Sequence, residues 1–218
     1  MGAQTRVGRI GKNVTPETMA ALLKPYVQGG VAPQLAAQLV DYLELLLKWN
    51  ARTNLTAIRD PEEIVRRHFG ESLFLGTSLG AHLGACSTLL DFGSGAGFPG
   101  VPVQLLRPEI AVTLAESQGK KAAFLREVVR HFGLQTEVWA SRVEAMPSER
   151  RFDAVALRAV DKMDSAVREA AARASGCVLI LGTSRASFAD VLAAEFPVVE
   201  RLPLPGSADG VLEVLRRR

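Results

Sequence analysis

The feature that most constrains this chain is a glycine-rich turn set between an apolar run and a helix start. Residues 89–100 read Leu-Leu-Asp-Phe-Gly-Ser-Gly-Ala-Gly-Phe-Pro-Gly, with glycines at 93, 95, 97 and 100. An apolar run that closes on an acid, a tight glycine turn and a following helix predict the first strand–turn–helix unit of a parallel α/β sheet. Ligands of such sheets bind in the crevice outside the carboxyl ends of the strands. Glycines belong there because the backbone must turn sharply and let a ligand approach to contact distance.

The surrounding pattern agrees. Short apolar runs at 88–92, 111–115, 136–139, 154–157 and 178–181 predict strands. Between them, 100–106, 120–132 and 164–174 have helical periodicity. Strands alternating with helices through short turns form a parallel sheet covered by helices. The tail holds a predicted helix over 188–195 and extended segments at 198–202 and 211–215, expected to pair antiparallel at the sheet edge. From Pro16 to about Ser78 the pattern is purely helical. Leu35, Leu39, Tyr42, Leu43, Leu46 and Leu47 recur every three or four residues, after Pro33 and before Asn50 or Asn54 as a stop. Asp60-Pro61 with Glu63 reads as an N-cap, an N1 proline and an acidic first turn for a helix through Ile64, His68 and Leu73. Residues 76–84 read as a loose, glycine-rich connection. The expected organisation is a loose terminus over 1–15, a helical subdomain over 16–84 and an α/β domain over 85–218.

Composition removes several classes. Two cysteines, Cys86 and Cys177, supply neither a disulfide framework nor a zinc site. His68, His82 and His131 have no metal-ligand spacing. No apolar run reaches the roughly 18 residues a membrane span needs, and no secretory signal is visible, so a reduced cytoplasmic protein is expected. The net charge of +3 permits a nucleic-acid partner without requiring one.

Two cofactor readings compete for the glycine turn. Gly95, Gly97 and Gly100 spell the dinucleotide fingerprint, whose purpose is to seat a pyrophosphate on a helix N-terminus. Including Asp91, the turn reads D-x-G-x-G-x-G, which resembles the nucleoside-binding loop of Rossmann-like methyltransferases that use S-adenosylmethionine. A carboxylate repels a pyrophosphate but suits a cationic methionine ammonium. Glu116, after the second strand, can accept hydrogen bonds from ribose hydroxyls in either case. Ser141-Arg142-Val143-Glu144, after the third strand, stands where adenine recognition would be completed.

Several blocks together resemble the RsmG (GidB) family. They are Leu47-Lys48-Trp49-Asn50, Asn54-Leu55-Thr56, Arg59-Asp60-Pro61, Arg67-His68, Glu71-Ser72-Leu73, the glycine turn with its Phe98-Pro99-Gly100, Lys120-Lys121, Phe124-Leu125-Arg126, Ser141–Glu144 and Arg158-Ala159. The resemblance implies an S-adenosylmethionine-dependent enzyme that methylates N7 of a guanine in the 530 loop of 16S rRNA. It implies a Rossmann-like fold with a seven-stranded, mostly parallel sheet and an N-terminal helical extension. It further implies a small-subunit ribonucleoprotein particle as partner. Cofactor contacts are expected at Asp91, Gly93, Gly95, Gly97, Phe98, Glu116, Val143, Glu144 and Arg158. The chain departs from the family's usual Asp-Ser-Leu at Glu71, from an apolar residue at Gly70, and from a Lys-Gly after the fifth strand. Gly70 is expected to loosen its helix by about 1 kcal/mol. Arg185 is the expected substitute for the missing lysine.

The chemistry fits what the chain lacks. Guanine N7 presents a lone pair and carries no proton, so methyl transfer to it needs no general base. The enzyme's task is alignment. No Ser/His/Asp or Cys/His set and no metal set is present, and no catalytic acid or base is assigned. His68 and Arg158 are the positioning candidates. Arg52, Arg59, Arg67, Lys120, Lys121, Arg126 and Arg185 are the expected RNA contacts. Trp49 reads as a core anchor before a stacking platform, and the protein as a monomer. The alternatives are another RNA or small-molecule methyltransferase on this fold, a non-catalytic RNA-binding module and a nicotinamide-dependent dehydrogenase.

Overall fold

The computed structural model describes residues 14–83, 86–160 and 162–217. Most of the predicted loose terminus, and the predicted boundary at 84/85, lie outside the described residues. Seven strands form one sheet in the order β3-β2-β1-β4-β5-β7-β6. These are β1 (Thr88–Phe92), β2 (Ala111–Ala115), β3 (Glu137–Trp139), β4 (Phe152–Arg158), β5 (Ala174–Thr183), β6 (Val198–Pro203) and β7 (Gly210–Arg216). Strands β1 to β5 pair in parallel, and β7 joins antiparallel to β5 and to β6. The expected antiparallel edge is present, and the strand order reverses direction at β1/β4, the switch point where such sheets bind ligands.

Side-chain alternation builds two cores. Leu89, Val112, Leu114, Ala154, Ala156, Leu179 and Val214 face one side. Helices α1 (Pro16–Leu23), α2 (Pro33–Asn50), α4 (Glu71–Leu83), α5 (Gly100–Leu106) and α6 (Gly119–Phe132) cover this face, and their buried Met19, Leu39, Leu73, Val103 and Phe124 belong to the same core. Leu90, Val155, Leu157, Val178 and Ile180 face the other side, under α7 (Met163–Arg173) and α8 (Ala189–Leu192). Trp49 is half-buried, 5.6 Å from the Phe124 ring, and serves as a core anchor.

Local chemistry sets the helix ends. Thr15 Oγ1 accepts from the Thr18 N–H at 3.2 Å to start α1. Asp60 Oδ2 accepts from the Glu63 N–H at 2.8 Å, with Pro61 opening α3 (Pro61–Ile64) as predicted. Gly133, left-handed at φ 61°, closes α6.

Three expectations are corrected. Residues 76–83 are not a loose connection but the second half of α4. Gly76 is an approach point, since a Cβ there would lie 3.1 Å from Leu106 of α5. Gly70, at the end of the segment Val65–Gly70, has a packing role. It makes room for the Tyr26 ring, which stands 2.7 Å from where a Cβ would be. The predicted regular helix through His68 contains instead a π-helical segment, Val65–Gly70, between α3 and α4. Such wide turns redirect side chains and are frequent at functional sites. The predicted helix over 188–195 shortens to α8.

Candidate active site

The glycine turn is held from below by side chains and closed on itself by backbone. Gly100 N–H donates to Asp91 Oδ2 at 2.9 Å, and Ser94 Oγ donates to the Asp91 carbonyl at 3.0 Å. Ser94 N–H donates to the Ala115 carbonyl, and the Gly97 and Phe98 N–H groups donate to the Ser94 carbonyl. Gly95 N–H donates to Glu116 Oε2 at 3.0 Å. From α2, the Tyr42 hydroxyl donates to the Ala96 carbonyl at 2.5 Å. Gly97 has φ 84°, and a Cβ on it would strike that same hydroxyl and Val101. Only glycine fits at that position.

Asp91 therefore needs correction as a cofactor contact. It is wholly buried on the α2/α5 side of β1, beneath the turn, and its Oδ1 has no partner among the described residues. Burial pushes its carboxyl up to about 7, against the Gly100 N–H, Ser94 and Arg158, which favour the anion. Its work is to fix the start of α5.

Around the turn lies a cavity of about 770 Å³. The strand order arranges its wall in sequence along the carboxyl edge. Ser141, Arg142, Val143 and Glu144 follow β3, Glu116 and Gln118 follow β2, and Gly93 to Ala96 follow β1. Arg158, Ala159 and Val160 close β4. Glu116 accepts from the Gln118 N–H at 2.6 Å and from Gly95, which fixes its carboxylate against the turn on the cavity wall. Val143–Ala145 is a single 3-10 turn. The buried Arg173 of α7 holds it by donating to the carbonyls of Pro147 at 2.5 Å, Met146 at 3.2 Å and Val143 at 3.4 Å.

The other end of the wall is made of side chains. Glu71 Oε2 lies 3.3 Å from Arg158 Nε, and Arg67 Nε lies 3.4 Å from Glu71 Oε1. Arg158 Nη2 donates to the Arg67 carbonyl at 3.2 Å and meets His68 Nδ1 at 2.8 Å. A guanidinium only donates, so His68 Nδ1 is the acceptor and the ring proton sits on Nε2. Nε2 then donates to Thr56 Oγ1 at 2.7 Å. Burial, then the charges of Arg158 and Arg67, hold His68 down to about 3, so the ring is neutral at physiological pH. Burial also lowers Arg158 from its ordinary value, opposed by Glu71. Thr56 is held in place by the buried Asn50. Asn50 Oδ1 accepts from the Leu55 and Thr56 N–H groups at 2.7 and 3.0 Å, and Asn50 Nδ2 donates to the Thr56 carbonyl at 3.0 Å.

Most predicted cofactor residues thus line one cavity: Gly93, Gly95, Phe98, Glu116, Val143, Glu144 and Arg158. Gly97 and Asp91 shape it from behind. Of the predicted RNA contacts, only Lys121 lines it. Arg52, Arg59, Arg67, Lys120, Arg126 and Arg185 are exposed, the last in the turn after β5. Sequence reasoning assigned nothing to Thr56, Asn50, Tyr42 or Arg173, and noted Glu71 only as a departure. Tyr42 looks like any core position at helical spacing, and Arg173 like any helix-surface arginine. Thr56 and Asn50 both stand in blocks that carry the family resemblance, which was the available signal. Among the described residues no cluster of His, Cys, Asp and Glu could hold a metal, and no helix is long and apolar enough to cross a membrane.

Comparison with known proteins gives this geometry relatives. A ribosomal RNA small subunit methyltransferase G of Stenotrophomonas maltophilia is 43% identical over 155 residues, covering 70% of this chain and 71% of its own. One from Xanthomonas euvesicatoria is 41% identical over 151 residues and 69% of each chain. Among solved structures, a T. thermophilus 16S rRNA N2-guanine methyltransferase in complex with AdoMet and guanosine superposes with TM-score 0.57. It is 22% identical and covers 68% of this chain and 43% of its own. The N-methyltransferase NodS of Bradyrhizobium japonicum with S-adenosyl-L-homocysteine gives TM-score 0.57 at 16% identity, over 78% of this chain and 98% of its own. These two show the shared Rossmann-like fold. The profile of the family described as rRNA small subunit methyltransferase G (GidB) matches residues 35–188, most of the chain, and the chain belongs to that family.

Proposed function

We propose that this protein transfers the methyl group of S-adenosylmethionine to N7 of a guanine in the 530 loop of 16S rRNA. It acts as a cytoplasmic monomer on a small-subunit ribonucleoprotein particle. The observation that carries the reading is the charge pattern of the cavity: a fixed acid after β2, a second acid after β3, and a neutral histidine beside a paired arginine at β4.

The residues fit this cofactor better than a dinucleotide. The N–H groups of Ser94, Gly95, Gly97, Phe98 and Gly100 are all donated within the fold, so they are not presented to a pyrophosphate. Glu116 stands on the wall where ribose hydroxyls need an acceptor. Gly93 and Gly95 line the cavity and would give backbone access, and Val143 and Glu144 line the part of it assigned to adenine in this reading. When bound, S-adenosylmethionine supplies a methyl on a sulfonium that leaves as a neutral thioether.

The chain's own part is alignment and charge. With the nucleoside held toward Glu116 and Glu144, the acceptor base belongs at the Thr56–His68–Arg158 end. His68 stays unprotonated there and withdraws no proton, in keeping with a nucleophile that carries none. Arg158 is half neutralised by Glu71, so the base meets an oriented donor and not an isolated cation. The exposed Arg52, Arg59, Lys120 and Arg126 serve the phosphates.

The test uses small subunits from a strain lacking this gene, incubated with methyl-labelled S-adenosylmethionine and the purified protein. Nuclease digestion and mass mapping should place one label on a 7-methylguanosine in the 530 loop. Label on another base, or none, rejects the reading.

A further inference from the structure

We infer that the hydroxyl of Thr56 reads the target base, donating a hydrogen bond to O6 of guanine while N7 faces the methyl group. This rests on the guanine-N7 reading above and adds to it the residue that selects the base.

A threonine hydroxyl has one proton and two lone pairs. Both lone pairs of Thr56 Oγ1 are used. His68 Nε2 donates to it at 2.7 Å and the Ile58 N–H donates at 3.1 Å. The direction of the first bond is not free. Arg158 can only donate to His68 Nδ1, which leaves Nε2 as the protonated nitrogen. The hydroxyl is therefore forced to point its proton away from both partners. No described residue accepts that proton, and Thr56 is half-buried on the cavity wall. The backbone is equally fixed, because the Asn50 carboxamide pairs with both the N–H and the carbonyl of Thr56. The result is a donor, and only a donor, pre-aimed at a cavity beside the β4 end.

Guanine suits this donor. Its O6 and N7 are neighbouring acceptors on one edge, while adenine carries an amino donor beside its N7. With N7 turned to the methyl group, the adjacent exocyclic atom meets the next wall group. A fixed donor there pairs with O6 and opposes an amino group. Sites that bond a substrate polar atom reject analogues lacking it far more strongly than apolar pockets reject size changes.

The experiment uses small subunits reconstituted with 16S rRNA carrying guanosine, inosine or 2-aminopurine riboside at the mapped methylation position. Inosine keeps O6, and 2-aminopurine removes it while keeping N7. The wild-type protein should prefer guanosine over 2-aminopurine by roughly 30- to 100-fold in single-turnover rate. Inosine should stay within about fivefold of guanosine, since its O6 hydrogen bond is intact. Thr56→Val should lose most of the guanosine rate and the preference together. Its affinity for S-adenosylmethionine by calorimetry should move less than about threefold, because no cofactor contact is removed. Thr56→Ser keeps the hydroxyl and should keep the preference, which separates donor loss from misfolding. A Thr56→Val protein that still prefers guanosine overturns the inference and points to Arg158 as the reader. So does a Thr56→Val protein whose main defect is cofactor affinity, or a wild type that does not distinguish 2-aminopurine. Absence of 7-methylguanosine with the natural base would instead sink the underlying function.

Discussion

The two ends of the cavity are built by different physics. At the β1–β3 end the wall is mostly backbone. Its centre is a local turn of a dozen residues, with hydrogen bonds between neighbours such as Ser94 with Gly97 and Phe98 and ties to Ala115 and Glu116 at the end of β2. At the β4 end the wall is a chain of side chains, Glu71–Arg158–His68–Thr56–Asn50, contributed by segments far apart in sequence. The first end is fixed mainly by the sheet and its loops, braced from outside by Tyr42 of α2 and Arg173 of α7. The second exists only when α2 and the helix carrying His68 dock onto the sheet. A backbone end is suited to hold an invariant nucleoside, whereas a side-chain end can be tuned to one acceptor.

Substitutions should separate the ends. The largest effect is expected at the turn, where Gly97→Ala combines a strained left-handed residue with a collision against Tyr42 and Val101. A loss of about 3 kcal/mol in denaturant unfolding is expected, together with loss of S-adenosylmethionine binding by calorimetry. A stable, binding-competent variant would show that the turn is not held as described.

At the other end, Arg158→Met removes the donor to His68 Nδ1 and leaves Glu71 with only the more exposed Arg67, and should cost about 2–3 kcal/mol. Histidine NMR should show His68, now held down to about 3, titrating at higher pH once the guanidinium charge is gone. It should not reach the ordinary value, because burial is the larger cause and remains. Because His68 is depressed in the fold, its neutral form costs nothing at neutral pH. Stability is lost as pH falls from about 6.5 toward 3. The variant should lose less over that window.

Asp91 tests the turn more gently. Its carboxyl is raised from 3.8 to about 7, so its anion is disfavoured in the fold. Stability is full below 3.8 and lost as pH rises toward 7. Asp91→Asn keeps an acceptor for the Gly100 N–H and removes that slope. The stability of Asp91→Asn relative to wild type should therefore climb between about pH 4 and 7 and level above it, measured by urea unfolding across pH. A flat difference would mean the carboxylate is not desolvated. The smallest effect belongs to the surface. Lys120→Gln with Arg126→Gln should leave S-adenosylmethionine binding unchanged. In salt titrations of RNA binding, the slope should flatten by about one unit for each phosphate that is no longer neutralised.

Legibility in sequence followed the same division. Strands β1 and β2 and helix α5 match the predicted ranges residue for residue, because a short apolar run and a glycine stop are local signals. The turn, Glu116 and the Val143–Glu144 segment were found for that reason. Gly76 misled because a glycine at a helix–helix contact looks in sequence like a glycine that breaks a helix. Asp91 misled because a strand residue's face is set by the sheet, and its face is the buried one. His68 and Arg158 were named separately, but nothing in their spacing says that they touch, or that a threonine 12 residues before His68 completes the set. Such contacts across the chain appear only after docking.

The division of labour itself is tested most directly by two readouts on two variants, Glu144→Arg and Thr56→Val. Affinity for S-adenosylmethionine is measured by calorimetry, and methyl transfer to small subunits is measured in a single turnover at saturating cofactor. A crossed pattern is predicted: Glu144→Arg loses affinity and recovers rate as cofactor is raised, while Thr56→Val keeps affinity and loses rate at any cofactor concentration. Two variants that fail in the same way, both in affinity or both in rate, would contradict a cavity with separate cofactor and base ends.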